Sequence, residues 1–290
     1  MNKELNIFIF KRDLRVEDNR TLYECFKNSD KFIPIFIFNP DIISNFRDKR
    51  LSFIVDIILN LRKKLNLYVF KGTDEEVITR ILQKYSVKKI FTSLPLTKSG
   101  KKRNNKLLEF SKSRGIEFVE VFDNVLVDFT KINFKKVYSH FYNEWKKNLD
   151  LKTFHEPDYN LKVQYDQEFE ESTLSLLRLF DTVPKTIWDY NFGMNRIKSY
   201  NFYKYSDLRN NLSEDYSSKL SPYIRFGVIS IRKLYELAFD KSEDFIKELA
   251  WREFFYHIAY NFAELDELEF QEKRRGMNWE NNEKYIESFF

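Results

Sequence analysis

The chain has 290 residues, 43% hydrophobic and 18% aromatic, which can bury a core in one large or two ordinary domains and excludes a disordered protein. Its formal net charge of +5 would favour a polyanionic partner if the basic residues shared one face, and indicates only solubility if they are spread evenly. With one cysteine, three histidines and no apolar run long enough for a membrane span or a signal peptide, we expect a protein of the cytoplasm or nucleus without a disulfide, a metal or a membrane partner.

Short apolar runs of strand length alternate with longer amphipathic segments in the first part of the chain. The runs are Leu5–Phe10, Phe32–Phe38, Leu67–Phe70, Lys89–Thr92 and Glu117–Phe122. Between them, Phe46–Leu65 has its apolar residues near helical spacing, and Asp74 is a predicted cap of the next helix. This alternation is typical of βαβ units. It predicts a doubly wound, parallel, five-stranded sheet in an α/β domain over residues 1–130.

The strand pattern ends near residue 130. Residues 131–189 mix charged and aromatic residues without a clean period, which predicts a connector with short helices. From Tyr190 onward the pattern is helical, with Ser230 as one predicted N-cap and Asp240 or Ser242 as the next. We therefore expect residues 190–290 to begin an all-helical domain.

Two polar segments could bind a ligand. The first is FKRDLRVEDNRTL at 10–22, which follows the first strand at the sheet edge where open α/β sheets bind ligands. It could equally be a charged turn with Asp18 or Asn19 as a helix cap. The second is YSSKLSPYIRFGVISIRKL at 216–234, whose serine hydroxyls suit a phosphate or pyrophosphate. It could also be an ordinary serine-rich helix start.

A third segment is KELAWREFFYH at 247–257, in which Glu248 and Trp251 lie one helical turn apart. In one interpretation, Trp251 is a stacking platform and Glu248 bonds the imide or amide edge of a flipped base. In the other, Glu248 and Arg252 form a surface pair and Trp251 belongs to the core. The periodicity fits both interpretations.

Five segments, taken in order, resemble the DNA photolyase and cryptochrome family, and the class I cyclobutane pyrimidine dimer photolyases in particular. They are FIFKRDLRVEDNRTL at 8–22, KVYSHFYNEWKK at 136–147, KLSPYIRFGVISIRKL at 219–234, ELAWREFFYHIAYNFAEL at 248–265 and FQEKRRGMNWENNEKYIESF at 270–289. The resemblance implies an α/β antenna domain followed by a helical domain that binds FAD. It implies a deoxyribodipyrimidine photolyase, a carbon–carbon lyase in which light-excited reduced flavin splits a dimer swung out of UV-damaged DNA. Whether the lesion is a cyclobutane dimer or a (6-4) product stays open.

The resemblance also assigns roles to individual residues. Tyr205 falls at the position of a flavin-contacting aromatic residue, and Arg209 at that of an arginine that touches DNA. The run that wraps the cofactor phosphates is Ser217, Ser218, Lys219, Leu220 and Ser221. Glu248 and Trp251 match the catalytic pair that meets the lesion in DNA. Arg252 could serve the cofactor, the DNA or Glu248.

Some segments depart from the family pattern. Ser139 and His140 replace the Thr-Pro of relatives, and SLPLTKSGKKRNNK at 93–106 follows the family only loosely. A folate or deazaflavin antenna chromophore is therefore an open expectation.

The chain also ends before the segment that, in the family, supplies a Gly-rich turn, Asp and Asn residues near the flavin ring, and a tryptophan relay. Half a pocket leaves apolar faces exposed and removes cofactor contacts, so we expect the chain alone to bind FAD poorly and to need the missing half of the flavin domain, from a second polypeptide or by read-through. The alternatives are a cryptochrome-like photoreceptor and a non-catalytic, truncated remnant.

Overall fold

The structure is a computed structural model that describes residues 4–44, 48–183, 185–211, 213, 216–262, 268–278, 280 and 282–289. The start of the predicted Phe46–Leu65 helix therefore lies outside the described residues. The same holds for positions 263–265, 279 and 281 of the last two quoted segments, and for residue 290.

Five strands form one parallel sheet. They are β1 (Glu4–Phe10), β2 (Phe32–Phe38), β3 (Tyr68–Lys71), β4 (Ser86–Ser93) and β5 (Glu117–Val121). Their order across the sheet is β3-β2-β1-β4-β5, so the direction of winding reverses between β1 and β4. The central strands are almost wholly apolar because helices cover both faces of a parallel sheet. The predicted doubly wound, five-stranded sheet is confirmed.

Helices follow most strands of this sheet. They are α1 (Arg20–Lys27), α2 (Pro40–Ile43), α3 (Asp48–Arg62), α4 (Asp74–Leu82) and α5 (Lys98–Lys112). The cap predicted at Asp74 is wrong: Thr73 is the N-cap, and its hydroxyl accepts the Glu76 amide in a capping box. At the first helix, Asn19 and not Asp18 is the cap. Asp18 instead accepts a hydrogen bond from Arg232.

The rest of the described chain is helical or irregular. Its helices are α6 (Tyr138–Lys147), α7 (Gln167–Arg178), α8 (Tyr190–Ser199), α9 (Tyr205–Leu208), α10 (Ser221–Arg225), α11 (Ile231–Ala238), α12 (Glu243–Asn261) and α13 (Glu283–Phe289). Single 3-10 turns occur at Phe129–Lys131, Tyr159–Lys162, Phe202–Lys204 and Glu272–Arg274. The N-caps predicted at Ser230 and Ser242 are confirmed, since their side chains accept the Lys233 and Phe245 amides, and Asp240 is not a cap.

A buried ion-pair network joins α11 to the sheet. Arg232 is 2% exposed, and its Nε lies 2.8 Å from Asp18 Oδ2 while its Nη2 lies 3.2 Å from Asp123 Oδ1. Arg15 contacts the same Asp123 carboxylate at 2.8 Å. One hydrophobic cluster includes residues from both sides of position 130, so the described helices share a core with the sheet. The domain boundaries placed at 130 and 189 stay predictions.

The described helices include none that is both long and apolar enough to cross a lipid bilayer.

Candidate functional site

A cavity of about 510 Å³ lies between α12 and the chain around α9 and α10. It brings together most of the side chains predicted from the sequence: Tyr205, Arg209, Ser217, Ser218, Ser221, Glu248 and Arg252. It also has lining residues that sequence reasoning missed: Ile224, Arg225, Phe245, Leu249 and Tyr256. Residues far apart in the chain therefore meet around one hollow.

One face of α12 forms a wall of this cavity. Phe245, Glu248, Leu249, Arg252 and Tyr256 recur every three or four residues and so point to the same side. The sequence carries this spacing, but it could not single out Phe245 and Tyr256, because a buried helix face and a cavity wall share the same periodicity.

Glu248 pairs with Arg209 and not with Arg252. Arg209 Nη2 donates to Glu248 Oε1 at 2.6 Å, and both side chains are about one-third exposed. The Arg209 guanidinium lies 5.4 Å from the centre of the Tyr205 ring. Burial raises the pKa of Tyr205, and the Glu248 carboxylate raises it further, so the phenol stays neutral. The pair sits at the open side of the cavity, and the surface pair with Arg252 considered from the sequence is not formed.

Arg252 reaches from α12 toward the α/β domain. Its Nη2 donates to the Asn124 carbonyl at 3.0 Å, and the guanidinium lies 4.7 Å from the centre of the Tyr256 ring. Its Nη1 is buried and has no hydrogen-bond partner among the described residues, with Glu253 Oε1 at 4.0 Å. A buried guanidinium N–H without a partner fits a ligand that brings an acceptor or a negative charge.

Arg196 on α8 holds the serine segment in place. It donates to the Ser217 carbonyl at 2.7 Å and to the Ser218 carbonyl at 3.2 Å. Lys219 has a positive φ of 58°, and Leu220 is fully buried in the core. The structure therefore places the three serine side chains along the cavity, whereas Lys219 and Leu220 do not line it. Arg196 was not predicted, because its contacts are to backbone carbonyls and leave no pattern in the sequence.

Trp251 lies on the neighbouring face of α12 and is not a lining residue of this cavity. Its indole stacks on Tyr138 of α6, with ring centres 3.6 Å apart and planes 3° apart. Of the two predicted lesion-contacting residues, only Glu248 is at the cavity wall. The role assigned to Trp251 by resemblance stays a prediction.

A second cavity of about 510 Å³ lies at the carboxyl edge of the sheet. Residues that follow each of the five strands line it: Lys11, Asn39, Thr73, Leu94 and Phe122. Burial lowers the pKa of Lys11 to about 8, although Asp74 nearby opposes the shift. Arg225 and Tyr256 line both cavities, so the two hollows are separated by a shared wall.

Comparison with known proteins gives consistent matches. The family model for DNA photolyase matches residues 6–158, just over half of the chain. Deoxyribodipyrimidine photo-lyase of Synechococcus sp. is 23% identical over 314 residues, covering 96% of this chain and 65% of the relative. Cryptochrome-1 of Gallus gallus is 26% identical over 304 residues, covering 90% of this chain and 49% of the relative.

A solved structure supports the same relationship. The archaeal photolyase from Sulfolobus tokodaii, crystallised with two FAD molecules, matches with a TM-score of 0.83 and 27% identity. The match covers 98% of this chain and 66% of that one. The chain therefore spans less than two thirds of the length of each of these proteins. From its fold, its motifs and these matches, the chain belongs to the DNA photolyase and cryptochrome family.

Proposed function

We propose that the chain forms part of a light-driven DNA repair protein, a photolyase that uses FAD to split pyrimidine dimers. The observation that carries this proposal is the cavity beside α12, where serine hydroxyls, aromatic rings and the Glu248–Arg209 pair meet. A DNA substrate also fits the location in the cytoplasm or nucleus expected from the sequence.

The chemistry of the cavity fits FAD. The hydroxyls of Ser217, Ser218 and Ser221, together with the unpartnered Arg252 N–H, suit a pyrophosphate. The rings of Tyr205 and Phe245 meet edge to face, 5.0 Å apart, and offer apolar surface to a flat ring system. The volume lies in the range of ligand pockets. Bound there, reduced FAD would supply the light-excited electron that opens the dimer and then returns.

The Glu248–Arg209 pair suits the edge of an extruded pyrimidine. A thymine presents an N–H donor between two carbonyl acceptors, and the pair presents carboxylate acceptors beside guanidinium donors. Arg209 holds the carboxylate in place before the base arrives, so Glu248 is already oriented to accept a hydrogen bond from the imide N–H. In this proposal, Glu248 bonds the lesion, Trp251 stacks against a base, and Arg209 adds positive charge for the DNA backbone.

The relatives that the chain matches are longer, and the cavity is open where Glu248 and Arg209 are exposed. We propose that the remainder of a flavin domain, on the same or a second polypeptide, closes this side and is needed for tight FAD binding. Closing the cavity would remove water from the cofactor and strengthen the polar contacts inside it.

The cavity at the sheet edge is the place that we propose for a second, light-harvesting chromophore of the folate or deazaflavin kind. Open α/β sheets bind ligands at this edge, where the winding reverses between β1 and β4. Extraction of the purified protein and analysis of the released pigments tests this. A protein that carries no pigment and takes up neither compound would contradict it.

A repair assay tests the main proposal. The chain would be combined with the remaining part of a relative's flavin domain, supplied with reduced FAD, and illuminated with dimer-containing oligothymidine. We expect light-dependent recovery of the bases' ultraviolet absorbance. Glu248→Gln should lower repair about tenfold or more, because the amide oxygen is a weaker, uncharged acceptor and no longer forms an ion pair with Arg209. Glu243→Gln, an exposed change on the same helix, should leave repair unchanged. Absence of repair in the wild type would refute the proposal.

A second candidate is a cryptochrome-like photoreceptor. It is favoured by the sequence identity to Cryptochrome-1, which at 26% is no lower than the 23% identity to the photolyase. Equal binding of irradiated and undamaged DNA, together with light-dependent binding of a protein partner, would support this candidate. A protein that binds neither FAD nor DNA would instead be a non-catalytic remnant.

A further inference from the structure

Trp251 is held between other aromatic rings. Its inner face is covered by Tyr138, whose ring centre is 3.6 Å away and whose plane is 3° from that of the indole. Phe254 contacts it edge to face at 5.6 Å. Few ring pairs approach as closely and as nearly parallel, so the orientation of the indole depends on Tyr138.

Tyr138 is itself fixed from two sides. Its hydroxyl donates to the Lys247 carbonyl on α12 at 3.1 Å. Burial raises the pKa of Tyr138 to about 12, so the phenol keeps this proton across the neutral range. Tyr142, one turn further along α6, stacks on Tyr138 with ring centres 5.7 Å apart. The inner side of the indole is therefore closed by a rigid pair of rings.

The outer side of the indole is the face that Tyr138 leaves uncovered. The Phe255 ring centre lies 5.9 Å from that of the indole, with its plane tilted by 29°, and this side chain is 63% exposed. Glu248, one helical turn before Trp251, is 39% exposed at the cavity mouth. A base that stacks on Trp251 can thus meet the indole only on the face that Tyr138 does not cover.

We propose that Tyr138 is a positioning residue for base stacking: it occupies the inner face of Trp251, fixes the indole plane, and leaves only the opposite, outer face for an extruded pyrimidine. This inference rests on the proposed function. An indole that is already held in place loses little rotational freedom when a base stacks on it, so more of the stacking energy appears as affinity.

The test compares Tyr138→Leu with Tyr138→Phe, which keeps the ring, and with Tyr142→Leu, which removes a stacked ring that does not contact Trp251. The full chain is used, and affinity is measured for single-stranded oligothymidine with and without a thymine dimer. Tyr138→Leu should reduce the preference for the dimer about tenfold, Tyr138→Phe should preserve it because the ring remains, and Tyr142→Leu should reduce it by about twofold or less because Tyr138 stays on the indole. Equal loss in Tyr142→Leu, or no loss in Tyr138→Leu, would overturn the inference.

A spectroscopic readout separates this inference from the proposed function. The emission of Trp251 is identified as the fluorescence component that Trp251→Phe removes. The quenching of this component by acrylamide is then measured. It should increase in Tyr138→Leu, because the inner face opens, and stay unchanged in Tyr138→Phe. If Tyr138→Leu does not fold, Tyr138→Met keeps the apolar contact without a flat ring and replaces it. A wild type without any preference for the dimer refutes the repair proposal and this role together, even if the quenching responds to Tyr138. Quenching that does not respond refutes the positioning alone.

Discussion

Glu253 is a fully buried acid on α12, between the cavity wall and the α/β domain. Its Oε1 accepts the Leu126 amide at 2.6 Å and its Oε2 accepts the Trp145 indole N–H at 3.0 Å. Burial raises its pKa from 4.5 to about 7, against the opposing charge of Arg252. In this window the folded chain holds a proton that the unfolded chain has lost, so the contribution of Glu253 to the free energy of unfolding falls as pH rises.

Glu253→Gln should therefore change the pH dependence of stability. We expect the variant's free energy of unfolding, minus that of the wild type, to rise between about pH 5 and about pH 7 by up to about 1.4 kcal/mol per pH unit. His257, whose pKa burial lowers to about 4, acts in the opposite direction but cancels in the difference. Urea unfolding of the variant and the wild type at several pH values measures this difference in the free energy of unfolding. A difference that stays constant with pH would contradict the assignment.

Gly227 is a position where the backbone requires glycine. Its φ is 64°, and a Cβ there would lie 2.2 Å from the Arg12 carbonyl oxygen. Gly115 has a similar φ of 67°, but a Cβ added there would meet no heavy atom within 4 Å, which makes it a matched control. Gly115→Ala should cost about 1–2 kcal/mol from the left-handed backbone alone. Gly227→Ala should cost about 3 kcal/mol or more, because the α10–α11 turn must also move away from the sheet. Equal costs in urea unfolding would show that the close approach is unimportant.

At the scale of single elements, the connection between α11 and the sheet depends on Arg232. Replacing Arg232 by Met removes the guanidinium that pairs with Asp18 and one of the two that pair with the buried Asp123, which keeps Arg15, and we expect a loss of about 3–5 kcal/mol in the free energy of unfolding. The neighbouring Lys233 makes only an exposed pair with Glu236, 3.9 Å apart. Lys233→Met should thus change stability by about 0.5 kcal/mol or less. Thermal or urea unfolding of both variants tests this, and similar effects would contradict the role of the network.

The strands could be predicted because buried parallel strands are continuous apolar runs, and Phe32–Phe38 has the same bounds in the sequence and in the structure. Helix caps were harder. Asp18 and Asn19 are adjacent, as are Thr73 and Asp74, and all four are of residue types that favour the N-cap position. Only the backbone angles decide between neighbours, and these depend on contacts such as that of Asp18 with Arg232, 214 residues away.

The candidate site could be predicted where residues carry polar chemistry in a recognisable segment. Glu248 and the serines were found in this way, and the cavity brings them together. Tyr138 and Arg196 could not be found, because one acts by stacking on a ring 113 residues further along the chain and the other by bonding backbone carbonyls. Neither kind of contact leaves a local pattern.

At the scale of the whole molecule, two cavities share the wall formed by Arg225 and Tyr256. One opens at the carboxyl edge of the sheet and the other between α12 and the serine segment. The proposed flavin site is thus built from helices that are fixed to the α/β domain by buried contacts, among them those of Glu253 and Arg232. In this proposal FAD binds in the cavity between α12 and the serine segment, and not in the cavity at the sheet edge.

The visible absorption spectrum of the purified protein, combined with the remainder of a flavin domain and incubated with FAD, tests this most directly. Ser218→Trp would fill the cavity with an indole, whereas Ser213→Trp places the same side chain at an exposed position that does not line it. We predict a retained flavin band in the wild type and in Ser213→Trp, and its loss in Ser218→Trp. A wild type without the band, or a band of equal strength in Ser218→Trp, would contradict the account.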